Sequence, residues 1–444
     1  MKSIDQIAAE LQGYDPQALP AADVARFLSL LVEPVTERLE LLLFDALGRV
    51  LADDVVSPFD VPPHDNSAMD GYAFDGAALA SGTALQLRVV GTALAGKAWQ
   101  GAMASGQCVK IMTGAIMPAG LDTVVPQEFV TVQGDSITVP ARLLQPGDNR
   151  RLRGEDLMQG RAALSKGELL TPARLVLAAS LGMKTVSTLR PLRVAYFSTG
   201  DEILSLGEPP REGAVYDSNR YTVFGMLKRL GCEVIDMGVV RDDPALLEAA
   251  FTGAAAQADA IITSGGVSVG EADFTKVMMK KLGDVAFWRV AMRPGRPMAV
   301  GRILQAKSAS SPRGTGASSS QMNSNPHGAI LFGLPGNPVA VMVTFLAFVR
   351  PALMQMMGNT APTPPLLKAS SLGAIRKKPG RTEYQRGTVS SAADGTLQVK
   401  TTGNQGSGVL SSMAQANGLI VLHHAQGNVA AGQDVDVMMF DGSI

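Results

Sequence analysis

Between Pro191 and Thr263 the sequence alternates apolar runs of strand length with stretches of helical pattern. The strand-like runs are 192–197, 233–240 and 260–263, and the helical stretches are 218–230 and 244–256. Alternation of this kind predicts parallel strands joined by helices, which is a doubly wound α/β sheet. We expect this sheet domain to extend from 191 to 365.

The third strand-like run leads into a glycine-rich turn, Thr263-Ser-Gly-Gly-Val-Ser-Val-Gly-Glu-Ala-Asp-Phe274. Gly265 and Gly266 allow positive φ and a close backbone approach, and the N–H groups of such a turn suit an oxyanion such as phosphate. Glu271 and Asp273 would repel a phosphate unless a hard cation such as Mg²⁺ lay between them. The turn therefore predicts a phosphate beside a metal, and an ordinary strand-to-helix connection is the alternative.

Polar residues also follow the other two predicted strands. Ser198-Thr-Gly-Asp-Glu202 follows the first, and Arg241-Asp-Asp243 follows the second. Ligands of doubly wound sheets bind outside the carboxyl ends of the strands, so these residues are expected at one site with the glycine turn. Asp243 stands directly before Pro244 and is better explained as a helix N-cap than as a ligand.

The rest of the chain predicts three further units. Residues 1–60 are mainly helical in pattern and, with 148–190, are expected to form a discontinuous N-terminal scaffold domain. Short alternating runs between glycine and proline turns predict a small β domain at 61–147 and a C-terminal β domain at 366–444. The Ser, Gly and Asn-rich stretch 305–328 is predicted to be a flexible hairpin insertion. The expected fold class is an α/β multidomain protein with a helical or mixed scaffold and two small β domains.

Two loops in the first half of the chain are rich in polar groups. The loop at 58–74 carries three acids with Asn, Ser and His, and the loop at 147–156 combines three arginines with three acids. Loops of this composition often carry function, although a network of solvated turns is the alternative.

Arginines provide a second set of candidates. Arg289, Arg293 and Arg296 lie in a proline-stiffened segment, where guanidinium groups suit an oxyanion; surface arginines without a role are the alternative. The C-terminal β domain adds three polar candidates, Arg381, Arg386 and Ser407.

Composition excludes several classes of protein. Hydrophobic residues make up 46% and charged residues 18%, which favours a compact globular chain, and a net charge of −1 gives no general attraction to nucleic acid or to an anionic membrane. Cys108 and Cys232 are too few for a disulfide framework or a structural zinc site. The apolar run 339–349 is shorter than the ~20 residues that span a bilayer, and the N-terminus lacks a signal-peptide core. A cytoplasmic protein is expected.

Several motifs, taken in their order, closely resemble those of molybdopterin molybdenumtransferases, to which the gephyrin E domain is related. They are Asp65-Asn-Ser-Ala-Met-Asp-Gly-Tyr72, Ile111-Met-Thr-Gly114, Arg153-Gly-Glu-Asp156, Phe197-Ser-Thr-Gly-Asp-Glu202, the glycine turn and Leu334-Pro-Gly-Asn-Pro338. The resemblance extends from about residue 20 to the C-terminus. It implies insertion of molybdate into adenylylated molybdopterin, with Mg²⁺-dependent release of AMP, to give molybdenum cofactor.

The resemblance also implies a homodimer whose active site lies between subunits, and it assigns roles to residues. One subunit would supply Asp70, Thr113, Arg151 and Asp156, and the other Glu202, Asp242, Asp273, Arg293 and Arg296. Catalytic roles are implied for Asp70, Glu202, Asp242 and Asp273, the last three as metal ligands. Substrate binding is implied for Thr113, Arg151, Asp156, Ser198, Thr199, Gly200, Gly265, Gly266, Ser268, Pro335 and Pro338, and molybdate binding for Arg293, Arg296, Arg381 and Ser407.

One departure from the family and two alternative functions follow from the same comparison. The family usually has Lys-Pro-Gly-Lys-Pro where this chain has Arg293 and Arg296, which keeps the charge but changes the donor geometry. A molybdopterin adenylyltransferase resembles Gly-Gly-Thr-Gly where this chain has Gly265-Gly-Val-Ser268, and a gephyrin-like scaffold would need an exposed apolar groove. Adenylyltransferases and recipient molybdoenzymes are the partners to expect.

Overall fold

The structure is a computed structural model that describes residues 2–267, 274–304 and 328–440 of the 444-residue chain. The predicted insertion at 305–328 therefore lies outside the described residues, except for Gly328. Ser268, Glu271 and Asp273 of the glycine turn lie outside them as well. The described residues contain three six-stranded sheets and several two-stranded pairings.

The first 190 residues contain three helices and twelve strands within the described range. The helices are α1 (Ile4–Glu10), α2 (Ala21–Leu31) and α3 (Pro172–Ser180). The strands are β1 (Arg38–Leu42), β2 (Val55–Val56), β3 (Asn66–Ser67), β4 (Gly71–Phe74), β5 (Leu85–Ala93), β6 (Gln107–Ile111), β7 (Thr123–Pro126), β8 (Thr131–Gln133), β9 (Ser136–Val139), β10 (Arg150–Arg151), β11 (Ala162–Leu164) and β12 (Thr185–Leu189).

Strands β4 to β9 form one sheet in the order β7-β4-β6-β5-β9-β8. Alternate residues of these strands point to opposite faces, so the sheet has an apolar cluster on each side. Val109 and Ile111 belong to one cluster, and Phe74 and Val125 to the other. The strands before this sheet pair with strands after it, β1 with β12, β2 with β11 and β3 with β10.

Helices α1 and α2 pack against the α/β sheet, in an apolar cluster that also contains Val50, Ala52 and Leu189 of the predicted scaffold. Ile7, Phe27 and Leu28 are almost fully buried in the same apolar cluster as Val194 and Tyr196, which belong to the α/β sheet. Because a helix buries its apolar stripe wherever a matching surface is available, sequence position alone did not reveal this partner. The predicted domain boundaries remain predictions.

The central region contains the six-stranded α/β sheet and three short strands outside it. The strands of this region are β13 (Arg193–Thr199), β14 (Ile203–Leu204), β15 (Val215–Tyr216), β16 (Glu233–Val240), β17 (Ala260–Ser264), β18 (Gly283–Arg289), β19 (Met292–Arg293), β20 (Pro297–Ile303) and β21 (Ala329–Leu334). Its helices are α4 (Ser218–Arg229), α5 (Pro244–Gln257), α6 (Phe274–Leu282), α7 (Pro338–Thr344) and α8 (Arg350–Met356).

The strand order β16-β13-β17-β21-β20-β18 confirms the predicted doubly wound sheet and adds to it. The first four strands are parallel, as the alternation of strands and helices predicts. Strands β20 and β18 are antiparallel and complete one edge. Buried residues of α4 and α5, such as Val223 and Phe251, belong to the two apolar clusters that include residues of the sheet.

Helices α7 and α8 form one continuous rod, joined by a π-helical turn at Phe345–Val349. Pro351 lacks an N–H and its ring crowds the preceding turn, which accounts for the wider turn at this point. The rod, Pro338–Met356, is the one described helix that is long and apolar enough to span a membrane, and 67% of its apolar window is buried inside the protein. The helix is therefore longer than the apolar run at 339–349 indicated, because it continues past Arg350 as part of the core.

The C-terminal region contains β22 (Leu367–Ser371), β23 (Thr382–Ser391), β24 (Leu397–Thr401), α9 (Ser411–Gln415), β25 (Gly418–Leu422) and β26 (Asp434–Met439). These strands form a sheet in the order β19-β23-β24-β22-β26-β25, and β25 also pairs with β23. The first strand of this sheet, β19, comes from the central region and pairs in parallel with β23. The segment that carries the candidate arginines therefore connects two sheets.

A buried ion pair joins the end of the scaffold to the α/β sheet, and it provides a test of the fold. Arg190, 8% exposed, donates to both carboxylate oxygens of Asp259, 3% exposed, at 2.7 and 2.8 Å. Arg190→Met would leave that carboxylate buried and unpaired, so we expect the free energy of unfolding to fall by about 3–5 kcal/mol. Urea denaturation followed by circular dichroism measures the change.

The matched control is Arg38→Met, which removes the ion pair with Asp53 on an exposed surface. That pair should contribute less than about 1 kcal/mol. Equal losses in the two variants would contradict the role assigned to the buried pair.

Candidate functional site

A cavity of about 1300 Å³ lies at the carboxyl ends of the parallel strands, between the α/β sheet and the C-terminal sheet. This is the position at which doubly wound sheets bind ligands. Eleven of the predicted site residues line it: Thr199, Gly200, Glu202, Asp242, Gly265, Gly266, Arg293, Arg296, Pro335, Arg381 and Ser407. The structure therefore brings together residues that are up to 208 positions apart in the sequence.

The glycine turn has the backbone that its sequence predicts. Gly265 and Gly266 have φ of +92° and +62°. A Cβ atom on Gly265 would overlap the carbonyl oxygen of Thr199, and one on Gly266 would overlap the side chain of Thr275. Both glycines are thus required by conformation and by space. The Gly265 N–H donates to the Leu334 carbonyl at 3.2 Å, so Gly265 allows close packing but offers no free donor, and Gly266 lines the cavity beside it.

An acidic group occupies one wall of the cavity. Asp242 has a carboxylate oxygen, Oδ1, that is buried without a hydrogen-bond partner. Burial, followed by the charge of Asp201 and more weakly that of Glu202, raises the pKa of Asp242, and a side-chain hydrogen bond with Thr275 opposes the rise. A buried oxygen without a donor, beside two further carboxylates, suits a hard cation with oxygen ligands such as Mg²⁺.

The predicted metal site is incomplete within the described residues. Glu202 and Asp242 both line the cavity, whereas Asp273 lies outside residues 2–267, 274–304 and 328–440. No group of three acidic, histidine or cysteine side chains suited to a metal occurs within those ranges. The neighbouring Asp243 caps helix α5, as predicted, because its Oδ1 accepts from the N–H groups of Ala245 at 2.9 Å and Leu246 at 3.0 Å.

Basic groups also line the cavity. Arg293 and Arg296 are exposed to the cavity, and neither has an ion-pair partner among the described side chains. Arg381 is held instead by Glu383, which is 2% exposed and accepts from its Nε at 2.8 Å. Arg293 and Arg296 are therefore the guanidinium groups that remain available to an oxyanion.

Arg386 does not line the cavity but holds in place a loop that does. This side chain is fully buried and donates to the carbonyl oxygens of Asn404, Gln405 and Gly406 and to Ser412 Oγ. Burial lowers the pKa of Arg386. The guanidinium thus fixes the loop that presents Ser407.

Some residues of the cavity were not found from the sequence. Thr275 places a buried hydroxyl beside Asp242 at the cavity wall, and the predicted Thr199 has a buried hydroxyl without a partner. Asn219 donates to the Gly336 carbonyl at 2.7 Å, and its own Oδ1 has no partner. Asn219 and Thr275 each lie in the first turn of a helix that follows a strand. That position was the sequence signal that could have identified them as residues of the site.

Two predicted substrate contacts lie behind the cavity wall. Ser198 donates to Asp217 at 2.9 Å within a buried network that includes Tyr196 and Ser264. Pro338 begins helix α7 and is not among the lining residues. Their contacts with substrate remain predictions.

The four residues predicted from the other subunit lie apart from this cavity. Asp70 Oδ1 accepts from the N–H and the hydroxyl of Thr113, each at 2.7 Å, and these bonds lower the pKa of Asp70. Arg151 pairs with Glu155 at 2.6 Å. Neither these residues nor Asp156 line the cavity of their own chain.

Comparisons with known proteins cover almost the whole chain. Residues 19–182 match the MoeA N-terminal region (domain I and II), residues 195–355 match a probable molybdopterin binding domain, and residues 368–440 match the MoeA C-terminal region (domain IV).

Full-length relatives agree with these matches. A molybdopterin molybdenumtransferase of Haemophilus influenzae is 41% identical over 90% of this chain and 93% of its own, and one of Nostoc is 35% identical over 89% and 87%. A molybdopterin biosynthesis moeA protein of Pyrococcus horikoshii has a similar structure, with a TM-score of 0.75 and 26% identity over 95% of this chain and 100% of its own. The chain belongs to the molybdopterin molybdenumtransferase family.

Proposed function

We propose that this protein transfers molybdenum from molybdate to adenylylated molybdopterin, with Mg²⁺-dependent release of AMP. One observation carries the proposal, namely that a single cavity combines a glycine turn, an aspartate with a buried, unpaired carboxylate oxygen, and two arginines that have no ion-pair partner among the described side chains. These features suit a phosphate, a divalent cation and an oxyanion, respectively. A cytoplasmic location and delivery of the product to molybdoenzymes complete the proposal.

The chain's own residues would act by positioning. The turn at Gly265 lets a phosphate of the pterin substrate approach the backbone of Gly266 closely, with the hydroxyls of Thr199 and Thr275 within the same wall. Arg293 and Arg296 hold molybdate by charge-assisted hydrogen bonds. Catalysis then depends on placing the oxyanion beside the dithiolene sulfurs of the substrate, in a site whose charges are fixed before binding.

Mg²⁺ fits the acidic wall, where Glu202 and Asp242 would hold it together with the predicted ligand Asp273. When bound, it would neutralise charge on the pyrophosphate as AMP leaves. Without a cation, Asp242 has no favourable partner for its buried oxygen.

We further propose a homodimer. The Asp70 and Thr113 pair is ordered by two short hydrogen bonds but does not line the cavity of its own chain. A second subunit could place this pair at the cavity, and in a symmetric dimer the exchange would be mutual.

The proposal is tested by measuring AMP release from adenylylated molybdopterin with molybdate and Mg²⁺ each present or omitted. Release that requires both ions is expected. Formation of adenylylated molybdopterin from ATP and molybdopterin would instead identify an adenylyltransferase. Failure of both reactions, with substrate integrity verified, would favour a scaffold protein.

The acidic wall predicts a further effect, on stability. Because the pKa of Asp242 is raised in the folded state, that state binds more protons than the unfolded chain, and stability falls as pH rises through the raised pKa. Asp242→Asn lacks this penalty, so its thermal midpoint should exceed that of the wild type at pH 7 without Mg²⁺. The difference should shrink as the pH falls below about 4, because the carboxyl then becomes protonated in the unfolded state as well.

Mg²⁺ should reverse the order of the two midpoints. A ligand that binds the folded state raises its stability, so Mg²⁺ is expected to stabilise the wild type and to leave Asp242→Asn unchanged. Differential scanning fluorimetry with and without Mg²⁺ measures both effects. Equal stabilisation of the two proteins would exclude Asp242 as a ligand.

A further inference from the structure

A second large cavity lies beside helices α7 and α8, and its lining is mainly apolar. A space of about 1210 Å³ opens between the α7–α8 rod and the C-terminal sheet, and a smaller one of about 330 Å³ lies between α8 and α2. Both are lined by Ala347, Arg350, Pro351, Thr363 and Pro364. We call the two spaces together the Arg350 groove.

Arg350 is the one charged residue among the described residues that line this groove. Its Nε is buried without a hydrogen-bond partner, and the guanidinium has no ion pair with any described carboxylate. Burial alone lowers the pKa of Arg350, with no nearby acid to offset it. Arg350 as a whole is half-buried, so its guanidinium can still meet a carboxylate that enters the groove, and such a carboxylate would offset the cost of burying the charge.

The rest of the groove is apolar and adaptable. Met342, Met413, Met438 and Met439 line the larger space, together with the buried ring of Phe440. Methionine side chains adjust to different partners, and methionine-rich surfaces are common where proteins bind peptides. The larger space alone exceeds the roughly 300–1,000 Å³ of most small-molecule pockets.

The backbone at Arg350 departs from an ordinary α-helix. Arg350 follows the π turn at Phe345–Val349 and donates its N–H to the Phe345 carbonyl, five residues earlier. Pro351 prevents an ordinary helical bond at the next position. π turns of this kind are frequent at functional sites.

We propose that the Arg350 groove binds a peptide segment of a partner protein, in which one carboxylate side chain is flanked by large apolar residues. The carboxylate pairs with the Arg350 guanidinium, and the apolar residues pack against the four methionines and Phe440. This site is separate from the cavity of the proposed reaction, because Arg350 does not line that cavity.

Two synthetic peptides test the proposal, acetyl-Leu-Phe-Asp-Leu-Phe-amide and the same peptide with Asn in place of Asp. The protein is labelled with ¹³C at the methionine methyl groups and titrated with each peptide by NMR. We expect shifts at Met342, Met413, Met438 and Met439, with the Asp peptide binding about tenfold more tightly, as a charge-assisted hydrogen bond predicts.

Arg350→Leu should abolish the preference for Asp over Asn, and its thermal midpoint should equal or exceed that of the wild type. Arg229→Leu, at an exposed arginine outside the groove, is the matched control and should keep the preference. Molybdenum transfer should be unchanged in both variants, so failure of the groove and failure of the proposed reaction are distinguishable.

Three results would overturn the proposal. The first is equal binding of the two peptides, and the second is methyl shifts confined to methionines outside the groove. The third is binding that occurs only after residues 441–444 are removed, because the chain's own last residues would then be the occupant. A lower thermal midpoint in Arg350→Leu with an unchanged preference would also assign Arg350 a purely structural role.

Discussion

Asp242→Asn is expected to lower the rate of AMP release at least ~100-fold, which is the scale of loss when a fixed electrostatic contact to the reacting group is removed. The substitution keeps the size of the side chain but removes the charge that would hold Mg²⁺. The buried Oδ1 has no protein donor that could be left unpaired, so the fold should tolerate the change. Single-turnover AMP release at saturating molybdate and Mg²⁺ measures the effect.

The adjacent aspartate provides the control. Asp243→Asn changes the same charge one residue later, but Asp243 caps helix α5 and does not line the cavity. Asparagine is a comparable N-cap, so both stability and rate should change little. Equal loss of rate in the two variants would indicate a general effect of negative charge near the cavity rather than a role for Asp242.

Activity restored by mixing two inactive variants is the second large effect that we expect. Asp70→Ala and Asp242→Asn homodimers should each be nearly inactive, because each lacks one part of every site. A heterodimer with one subunit of each kind contains one intact site, provided that Asp70 acts at the cavity of the partner. It should regain about half of the wild-type rate per dimer, since one of its two sites is complete.

The experiment requires co-expression of differently tagged subunits and purification through both tags. A heterodimer of Asp242→Asn with Glu202→Gln is the matched control, because Glu202 and Asp242 line the cavity of the same chain. Neither site of that heterodimer would be complete, so no activity should return. Restored activity in the control, or none in the Asp70 pairing, would contradict the shared site.

Local pattern predicted much of the α/β domain. Strand β16 has the bounds that its apolar run indicates, and helix α5 begins at the proline after its predicted cap. These elements are specified by neighbours in the sequence, namely periodicity, capping and glycine or proline. Strands β18 and β20 were not predicted. They pair with each other over a short separation, but their place in the sheet depends on the pairing of β20 with β21, whose partners are about 26 to 34 residues apart.

The candidate site divides in the same way. The positive φ of Gly265 and Gly266 follows from the residue type and the turn, and the structure confirms it. The restraint of Arg381 by Glu383, and of the 404–406 carbonyls by Arg386, appears only once the C-terminal sheet is folded. Sequence motifs located the groups, whereas three-dimensional contacts determine which arginines remain available.

The short segment between β19 and β20 connects two sheets, and each end of it carries one of the two candidate arginines. Arg293 lies in the C-terminal sheet through its pairing with β23, whereas Arg296 directly precedes β20 of the α/β sheet. The two guanidinium groups are therefore attached to different sheets, three residues apart. A rotation of one sheet relative to the other would change the spacing of the two guanidinium groups, and would so couple opening of the cavity to release of a bound oxyanion.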